Sequence, residues 1–208
     1  MSPEAQSEEG VMRVVFVGDS LTVGVGDPAY LGWVGRLCAA APLAGLELTA
    51  YNLGVRSETS RHIKARLARE LPPRLLPREE ARAVLSFGVN DAKVENGRRK
   101  VELSESVDNL FAIVTQVSKL CPLLMVGPPP VLDDAHRARV EELSDVFART
   151  CDDMGVPYLE LCRTLSREAT YLDSLVAAGD GYHPEAAGYA AMAKCIGEWE
   201  AWLAWFRC

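Results

Sequence analysis

The stretch VVFVGDSL, residues 14–21, decides the fold of this chain. Its first four residues are apolar with high β-propensity, which is typical of a strand buried on both faces of a parallel sheet. Gly18 lets the chain leave the strand sharply, and Ser20 follows. Ligands of open α/β sheets bind at the carboxyl ends of strands, so Ser20 is a candidate nucleophile. Serine is also an ordinary turn and capping residue, so this interpretation needs partners elsewhere.

Strands and helices alternate along the rest of the chain. Apolar runs predict strands at residues 12–17, 46–53, 83–87, 123–126 and 156–161. Helical periodicity predicts helices near residues 33–41, 63–71, 107–117, 134–147 and 184–206. This alternation predicts an α/β fold with a flavodoxin-like, five-stranded parallel sheet of order 2-1-3-4-5.

Two helices carry more detailed predictions. Apolar spacing places Phe111 on the buried face of the third long helix, together with Val107, Leu110, Val114 and Val117. The last helix is expected to run from Pro184 through Phe206, with a core-facing stripe of Trp199, Trp202 and Phe206. Trp205 lies off that stripe, and we interpret it as a candidate contact in a homo-oligomer.

The length of 208 residues suits one domain with a full core. We expect a disordered leader over residues 1–10 and a single domain over residues 11–208. The leader lacks the basic and apolar regions of a secretory signal peptide, and no apolar run is long enough for a membrane span. These features predict a cytoplasmic protein.

The net charge disfavours nucleic acid as a partner, and the cysteine spacing disfavours a zinc or redox site. The net charge of −7 disfavours nucleic acid, because phosphate binding needs clustered basic surface. The six cysteines include no Cys-x-x-Cys pair, so we expect free thiols and no zinc or redox motif. We expect Cys38, Cys121 and Cys195 to be small core residues.

The chain has three histidines that could serve Ser20 as a base. His62 and His136 lie in polar helical segments, where we expect them to be solvated. His183 follows a glycine turn that begins at Asp180. That spacing lets one short loop present both groups, so that the carboxylate fixes the tautomer in which the other ring nitrogen takes a proton.

Two further polar motifs follow predicted strands. Asn90 lies just after the third strand, and an amide there is a neutral donor for the oxyanion of acyl transfer. Gly54 ends the second strand, where the absence of a side chain leaves a backbone N–H accessible. Together with Ser20 and the pair of Asp180 and His183, these motifs supply a nucleophile, a base and two oxyanion donors.

The four motifs, at residues 18–21, 52–54, 88–91 and 180–184, resemble in sequence and order the blocks of the SGNH hydrolase superfamily, the GDSL-type esterases and lipases. The resemblance extends over nearly the whole chain. It implies a three-layer α/β/α sandwich and a carboxylic ester hydrolase that uses a serine nucleophile with neither metal nor cofactor. The implied partner is a small-molecule ester.

The resemblance also assigns roles to individual residues. Ser20 would attack the ester carbonyl, and His183 would act as general base and then as general acid, oriented by Asp180. The oxyanion would be bound by the backbone N–H groups of Ser20 and Gly54 and by the side chain of Asn90. Support for this site would come from two further carboxyls, Asp19 and Asp91.

Arg56 departs from the pattern of many relatives, which carry small or acidic residues after the second-block glycine. It either faces the cleft and favours a substrate with a negative group, or forms a surface ion pair with Glu58. We favour the ion pair, because exposed charges usually do no more than that.

The sequence is also compatible with other functions. Residues 24–29 match the Gly-x-Gly-x-x-Ala dinucleotide fingerprint, although they start six residues after the strand and contain a proline. A catalytically inactive binding module of the same fold is another alternative. Within the hydrolases, the substrate class is undecided between acetyl esters, short fatty esters, lysophospholipids and thioesters. The loops at residues 21–32, 92–100 and 128–134 are expected to shape the substrate pocket.

Overall fold

A parallel sheet forms the centre of the computed structural model, which describes residues 10–43, 45–75 and 80–207. In chain order the strands are β1 (Val11–Gly18), β2 (Glu47–Gly54), β3 (Glu80–Ser86), β4 (Val94–Glu95), β5 (Arg98–Arg99), β6 (Leu123–Val126) and β7 (Tyr158–Leu159). The short β4 and β5 form a separate antiparallel hairpin. The other five strands pair in parallel in the order β2-β1-β3-β6-β7, which confirms the predicted 2-1-3-4-5 arrangement.

Helices cover both faces of the sheet. They are α1 (Ser20–Val23), α2 (Gly32–Ala39), α3 (Ser60–Glu70), α4 (Leu103–Val117), α5 (Asp134–Asp153), α6 (Cys162–Leu165), α7 (Ala169–Ala178), α8 (Ala186–Gly197) and α9 (Glu200–Leu203). Single 3₁₀ turns follow at Pro72–Arg74 and Ala204–Phe206. α2, α7 and α8 pack on one face, and α3, α4 and α5 pack on the other.

The buried strand β1 explains the three layers. Val14 and Phe16 join the core on one face of the sheet, and Val15 and Val17 join the core on the other. All four are fully buried, because successive side chains of a strand point to opposite faces and both faces are covered. Phe16 also makes an edge-to-face contact with Trp33 of α2, with ring centroids 5.6 Å apart. The three-layer α/β/α sandwich is confirmed.

Gly18 is required by close packing at the end of β1. A Cβ atom at this position would lie 2.1 Å from the carbonyl oxygen of Ser86 and 2.1 Å from Oγ1 of Thr22. The absence of a side chain therefore lets the end of β1, the end of β3 and the first turn of α1 converge. This convergence places the carboxyl ends of two strands directly beside Ser20.

The predicted last helix is wrong in its extent. The helix stops at Gly197, and Trp199 has an extended backbone that begins the separate α9. Trp202 and Phe206 are buried as predicted, while Trp199 is only half-buried. Trp205 is also half-buried and lies 5.6 Å from the ring of Trp202, so it borders the same core.

Two other helical details differ from expectation. Phe111 is 55% exposed, and Ile113 occupies the buried face of α4 instead. α7 was missed altogether, although Glu168 caps its start and Gly179 ends it in a left-handed conformation. Its buried Tyr171 donates a hydrogen bond to the carbonyl of Pro130 at 3.1 Å.

The predicted leader at residues 1–10 lies outside the described residues except for its last position, and Cys208 also lies outside them. Five described cysteines are free thiols, of which Cys121 is buried and both Cys38 and Cys195 are half-buried. Among the helices that the structure describes, none combines the length and apolar character needed to cross a membrane.

Candidate active site

Ser20 begins α1, immediately after β1 leaves the sheet. The Asp19 side chain caps this helix by accepting a hydrogen bond from the Leu21 N–H at 2.9 Å. The Val23 N–H donates to the Asp19 carbonyl at 3.1 Å, which closes the first turn. Ser20 is therefore held on a tight turn at the carboxyl edge of the sheet.

His183 and Asp180 meet Ser20 from the loop between α7 and α8. Oγ of Ser20 lies 2.8 Å from Nε2 of His183, and Nδ1 of His183 lies 2.6 Å from Oδ2 of Asp180. The other oxygen of Asp180 accepts hydrogen bonds from the backbone N–H groups of Tyr182, at 2.8 Å, and His183, at 2.9 Å. Partial burial raises the pKa of Asp180, but these hydrogen bonds outweigh it and leave the pKa below its usual value. An ionised Asp180 favours the tautomer in which Nε2 accepts the proton of Ser20.

The loop at residues 128–134 supports this arrangement from outside the cleft. Its Leu132 N–H donates to the Gly181 carbonyl at 3.0 Å, which fixes the turn before His183. None of its residues is among the described residues that line the cleft at Ser20, so its contribution to this cleft is indirect, through the turn before His183. The other two predicted loops contribute Leu21 and Lys93 to the cleft.

Asn90 reaches the same cleft from the loop after β3. Its Nδ2 donates to the Glu58 carbonyl at 2.8 Å and lies 3.5 Å from Oδ2 of Asp19. The adjacent Asp91 is fully buried and accepts hydrogen bonds from the Ser60 N–H at 2.8 Å and from Oγ of Ser106 at 2.9 Å. Asp91 thus ties the Asn90 loop to the starts of α3 and α4.

The backbone N–H of Gly54 is not free to bind an oxyanion. Its backbone N–H donates to Oδ1 of Asn52 at 2.9 Å, and a Cβ atom at Gly54 would lie 2.3 Å from the Val23 nitrogen. The glycine serves close packing of β2 against α1, so the prediction of an available N–H at Gly54 is corrected.

Ser57, which sequence reasoning missed, lines the cleft instead. It has a φ of 67°, a left-handed backbone that non-glycine residues seldom adopt. Its N–H has no hydrogen-bond partner within the described ranges. The conformation is invisible in the sequence, because a serine gives no signal of a positive φ.

The favoured ion pair between Arg56 and Glu58 is also wrong. Oε2 of Glu58 instead accepts from Nε of Arg66 on α3 at 2.7 Å. Arg66 further donates to the carbonyls of Gly18 and Leu53, so it binds the ends of β1 and β2 together. Arg56 lines the cleft and has no hydrogen-bond or ion-pair partner in the part of the chain that the structure describes.

His136 was expected to be solvated, but it is 2% exposed. Its Nε2 lies 2.8 Å from the Val89 carbonyl oxygen, which requires a proton on that nitrogen, and its ring centroid lies 5.7 Å from that of Tyr182. Burial lowers the pKa of His136, which favours the neutral ring. It packs beneath the loops that carry Asn90 and His183. By contrast, His62 is exposed and caps the start of α3 with Thr59.

The turn at residues 24–29, which matches a dinucleotide fingerprint formally, follows α1 and is filled by a carboxylate of its own. Asp27 accepts hydrogen bonds from the N–H groups of Ala29 at 3.0 Å and Gly32 at 2.8 Å, and it pairs with Arg36. The Arg36 guanidinium and these N–H groups lower the pKa of Asp27 to about 2. Because the donors are occupied, the turn does not offer them to a phosphate.

The cleft at Ser20 is small and polar, with a volume of about 220 Å³. Its lining residues are Asp19, Ser20, Leu21, Arg56, Ser57, Val89, Asn90, Lys93, Asp180, Tyr182 and His183. A larger apolar groove of about 460 Å³ between α2 and α8 lacks these groups. Among the described residues, no three His, Cys, Asp or Glu side chains converge as metal ligands would.

Among the described residues, Asp19 is the buried carboxyl that borders the nucleophile. It is 2% exposed, and burial, with the negative charges of Asp91 and Glu58, raises its pKa to about 7. The raised pKa means that folding disfavours ionisation of this group. As the pH rises from the ordinary Asp range, the unfolded chain ionises before the folded one, and the folded state loses stability.

Replacement of Asp19 by asparagine is therefore expected to stabilise the fold increasingly as the pH rises. The amide of the Asp19→Asn variant keeps an oxygen for the Leu21 N–H but has no charge to bury. Between about pH 4 and about pH 8 we expect the free energy of unfolding of the variant to rise by about 2 to 4 kcal/mol relative to that of the wild type. A tenfold change in proton affinity corresponds to about 1.4 kcal/mol. Urea unfolding at both pH values measures this, with Asp173→Asn, at an exposed position of α7, as the control. An equal difference at both pH values would contradict the assignment.

In α/β/α hydrolases of the SGNH type, serine, histidine and asparagine side chains meet at the carboxyl edge of a parallel sheet with this strand order. This chain has the same arrangement and is of that class. Residues 16–191 match the model of the GDSL-like lipase/acylhydrolase family. The chain belongs to that family and is an ester hydrolase.

Solved structures share this fold over nearly the whole chain. Axe2, an acetylxylan esterase from Geobacillus stearothermophilus, has a TM-score of 0.73 at 19% identity, covering 95% of this chain and 99% of its own. A lipase/acylhydrolase from Enterococcus faecalis has a TM-score of 0.69 at 23% identity, covering 89% and 93%. A comparison with curated proteins finds no match.

Proposed function

We propose that this protein hydrolyses short-acyl carboxylic esters through an acyl-enzyme on Ser20. The observation that carries the proposal is the continuous contact from Oγ of Ser20 to Nε2 of His183, at 2.8 Å, and from Nδ1 of His183 to Asp180, at 2.6 Å. A nucleophile in hydrogen-bond contact with a base that a third group orients is the arrangement that activates a hydroxyl for acyl transfer.

The reaction proceeds in two halves. Nε2 of His183 takes the proton of Ser20 as Oγ attacks the ester carbonyl, and the imidazolium is stabilised by Asp180. The tetrahedral intermediate collapses, the bond to the alcohol breaks, and the alcohol leaves with the proton from His183. Water then gives a proton to His183 and attacks the acyl-enzyme, which releases the carboxylic acid and returns the proton to Ser20.

Three donors are available for the oxyanion. The side-chain amide of Asn90 faces the cleft; one N–H is held by the Glu58 carbonyl at 2.8 Å, and the long 3.5 Å contact to Oδ2 of Asp19 leaves the other to be taken by an oxyanion. The backbone N–H of Ser20 lies at the start of α1. In place of Gly54 we assign the third donor to the N–H of Ser57, which lines the cleft and is free of other partners among the described residues. Fixed donors of this kind stabilise charge that develops only in the transition state.

The volume of the cleft supports a short acyl group. A volume of about 220 Å³ lies below the range that pockets for drug-sized ligands occupy, and its lining is mainly polar. An acetyl or propionyl group fits such a site, whereas a long acyl chain would extend into water and gain little from burial. We therefore propose acetylesterase activity ahead of lysophospholipase or long-chain thioesterase activity.

A panel of 4-nitrophenyl esters tests this preference. We expect kcat/KM to be highest for the acetyl or propionyl ester and to fall by about tenfold or more at the octanoyl ester, because the extra methylenes find no pocket. Acetylated xylooligosaccharide and acetyl thioester belong in the panel as alternative leaving groups. A rate that rises with each added methylene would contradict the short-acyl assignment.

A further inference from the structure

We propose that the natural ester carries an anionic group that Arg56 binds while Ser20 attacks the carbonyl. This inference rests on the proposed hydrolase function and names the substrate class of the same cleft. The observation behind it is a guanidinium that lines the cleft with no hydrogen-bond or ion-pair partner among the described residues.

The turn that presents Arg56 is anchored at both ends. The Val55 N–H donates to the Gly18 carbonyl at 3.1 Å, and the Glu58 N–H lies 3.4 Å from the Val55 carbonyl across the turn. The Glu58 side chain is held by Arg66. The left-handed Ser57 between them stores backbone strain, of a kind that persists where the surroundings fix the loop. Arg56 is thus presented from a fixed turn rather than from a freely moving loop.

The other charges of the cleft leave it open to an anion. Asp180 is committed to His183, and Asp19 is buried with its carboxyl turned to the Leu21 N–H. Lys93 adds a second cation, with Nζ 5.4 Å from the centre of the Tyr182 ring and 3.6 Å from Glu95. Arg56 is therefore a cation of the cleft that no carboxylate neutralises among the described residues, although the whole chain has a net charge of −7.

The chemistry of the guanidinium defines the ligand. Its planar fork makes paired hydrogen bonds to a carboxylate or phosphate, which are stronger than hydrogen bonds between neutral groups. Because the overall negative charge repels an anionic ester at long range, selection of such a substrate requires a local contact of this kind. The anion belongs either to the acyl part or to the alcohol part of the ester.

Two matched pairs of esters test the inference. Monoethyl succinate and diethyl succinate differ by a charge on the acyl part, and 4-acetoxybenzoate and its methyl ester differ by a charge on the alcohol part. In at least one pair we expect wild-type kcat/KM to favour the anionic member by about tenfold, the range of one charge-assisted contact. The pair that shows the preference identifies the part that carries the anion.

Variants separate binding of the charge from catalysis. Arg56→Gln should abolish the preference by lowering kcat/KM for the anionic member about tenfold more than for the neutral member, and Arg56→Lys should restore part of the preference. Lys119→Gln removes the same charge from an exposed site at the opposite end of the sheet and should leave the preference intact.

The two proposals fail in different ways. If the enzyme reacts with fluorophosphonate at Ser20 but shows no preference in either pair, the hydrolase function stands and the role of Arg56 is overturned. The same conclusion follows if Arg56→Gln lowers kcat/KM equally for both members of a pair. A wild-type protein that neither hydrolyses any of the four esters nor reacts with fluorophosphonate overturns both proposals.

Discussion

Replacement of Ser20 by alanine is expected to lower kcat/KM for 4-nitrophenyl acetate by about 10³-fold or more, with the fold intact. The hydroxyl is the only group of Ser20 in contact with Nε2 of His183, so its removal ends acyl-enzyme formation. The side chain is small and alanine fits the first turn of α1 without a clash. Steady-state kinetics and thermal unfolding of the same samples measure the two effects.

A matched control for this variant is Ser118→Ala. Ser118 is exposed at the end of α4, and its loss should leave kcat/KM within about twofold of the wild type, as ordinary surface substitutions do. Residual activity of Ser20→Ala within about tenfold of the wild type would move the nucleophile to another residue.

Replacement of His183 by alanine is expected to lower kcat/KM by about 10³-fold or more, because the serine then has no base and the alcohol no acid. The variant leaves a space between Ser20 and Asp180, and added imidazole should restore part of the activity in a saturable manner. Rescue distinguishes loss of a proton carrier from a structural defect.

His62→Ala is the control for the base. His62 is exposed and caps α3, so its loss should lower stability by about 1 kcal/mol and leave kcat/KM nearly unchanged. If His62→Ala and His183→Ala lost activity equally, or if His183→Ala retained more than about a tenth of the activity, His183 would not be the base.

The sheet and the Ser–His–Asp contact were predictable because each depends on a local pattern. The apolar run at residues 14–17 can be buried only if both faces of the sheet are covered, and the sheet order followed from right-handed crossovers between adjacent units. Asp180 and His183 share one short loop, so their spacing alone brings the carboxylate to the ring. Ser20 and Asn90 meet because parallel strands end at one edge.

The remaining features depend on contacts between distant segments or on backbone geometry. Arg56 and Glu58 are close in sequence, but Arg66 reaches Glu58 from α3 and takes the ion pair. The N–H of Gly54 is occupied by Asn52, and the sequence gives no sign of this. His136 looks polar in its helix, yet the loop of Val89 covers it.

The helical errors have a similar origin. Phe111 fits the apolar spacing of α4, but the helix turns Ile113 toward the core and leaves Phe111 in solvent. Helix α8 ends before Trp199 although the apolar spacing continues, and Trp202 of the separate α9 packs against Phe16. Periodicity defines a face, whereas tertiary packing decides its limits.

Fluorophosphonate labelling of the intact protein, read by peptide mass spectrometry, tests whether Ser20 is the activated nucleophile. The reagent phosphonylates a serine only when a base and an oxyanion site activate it, and Ser20 is the described serine whose Oγ contacts a histidine that an aspartate orients. We expect one stoichiometric adduct, on the peptide that contains Ser20, absent in Ser20→Ala and greatly slowed in His183→Ala. A folded wild-type protein that is unlabelled at Ser20, or labelled equally at other serines, would contradict it.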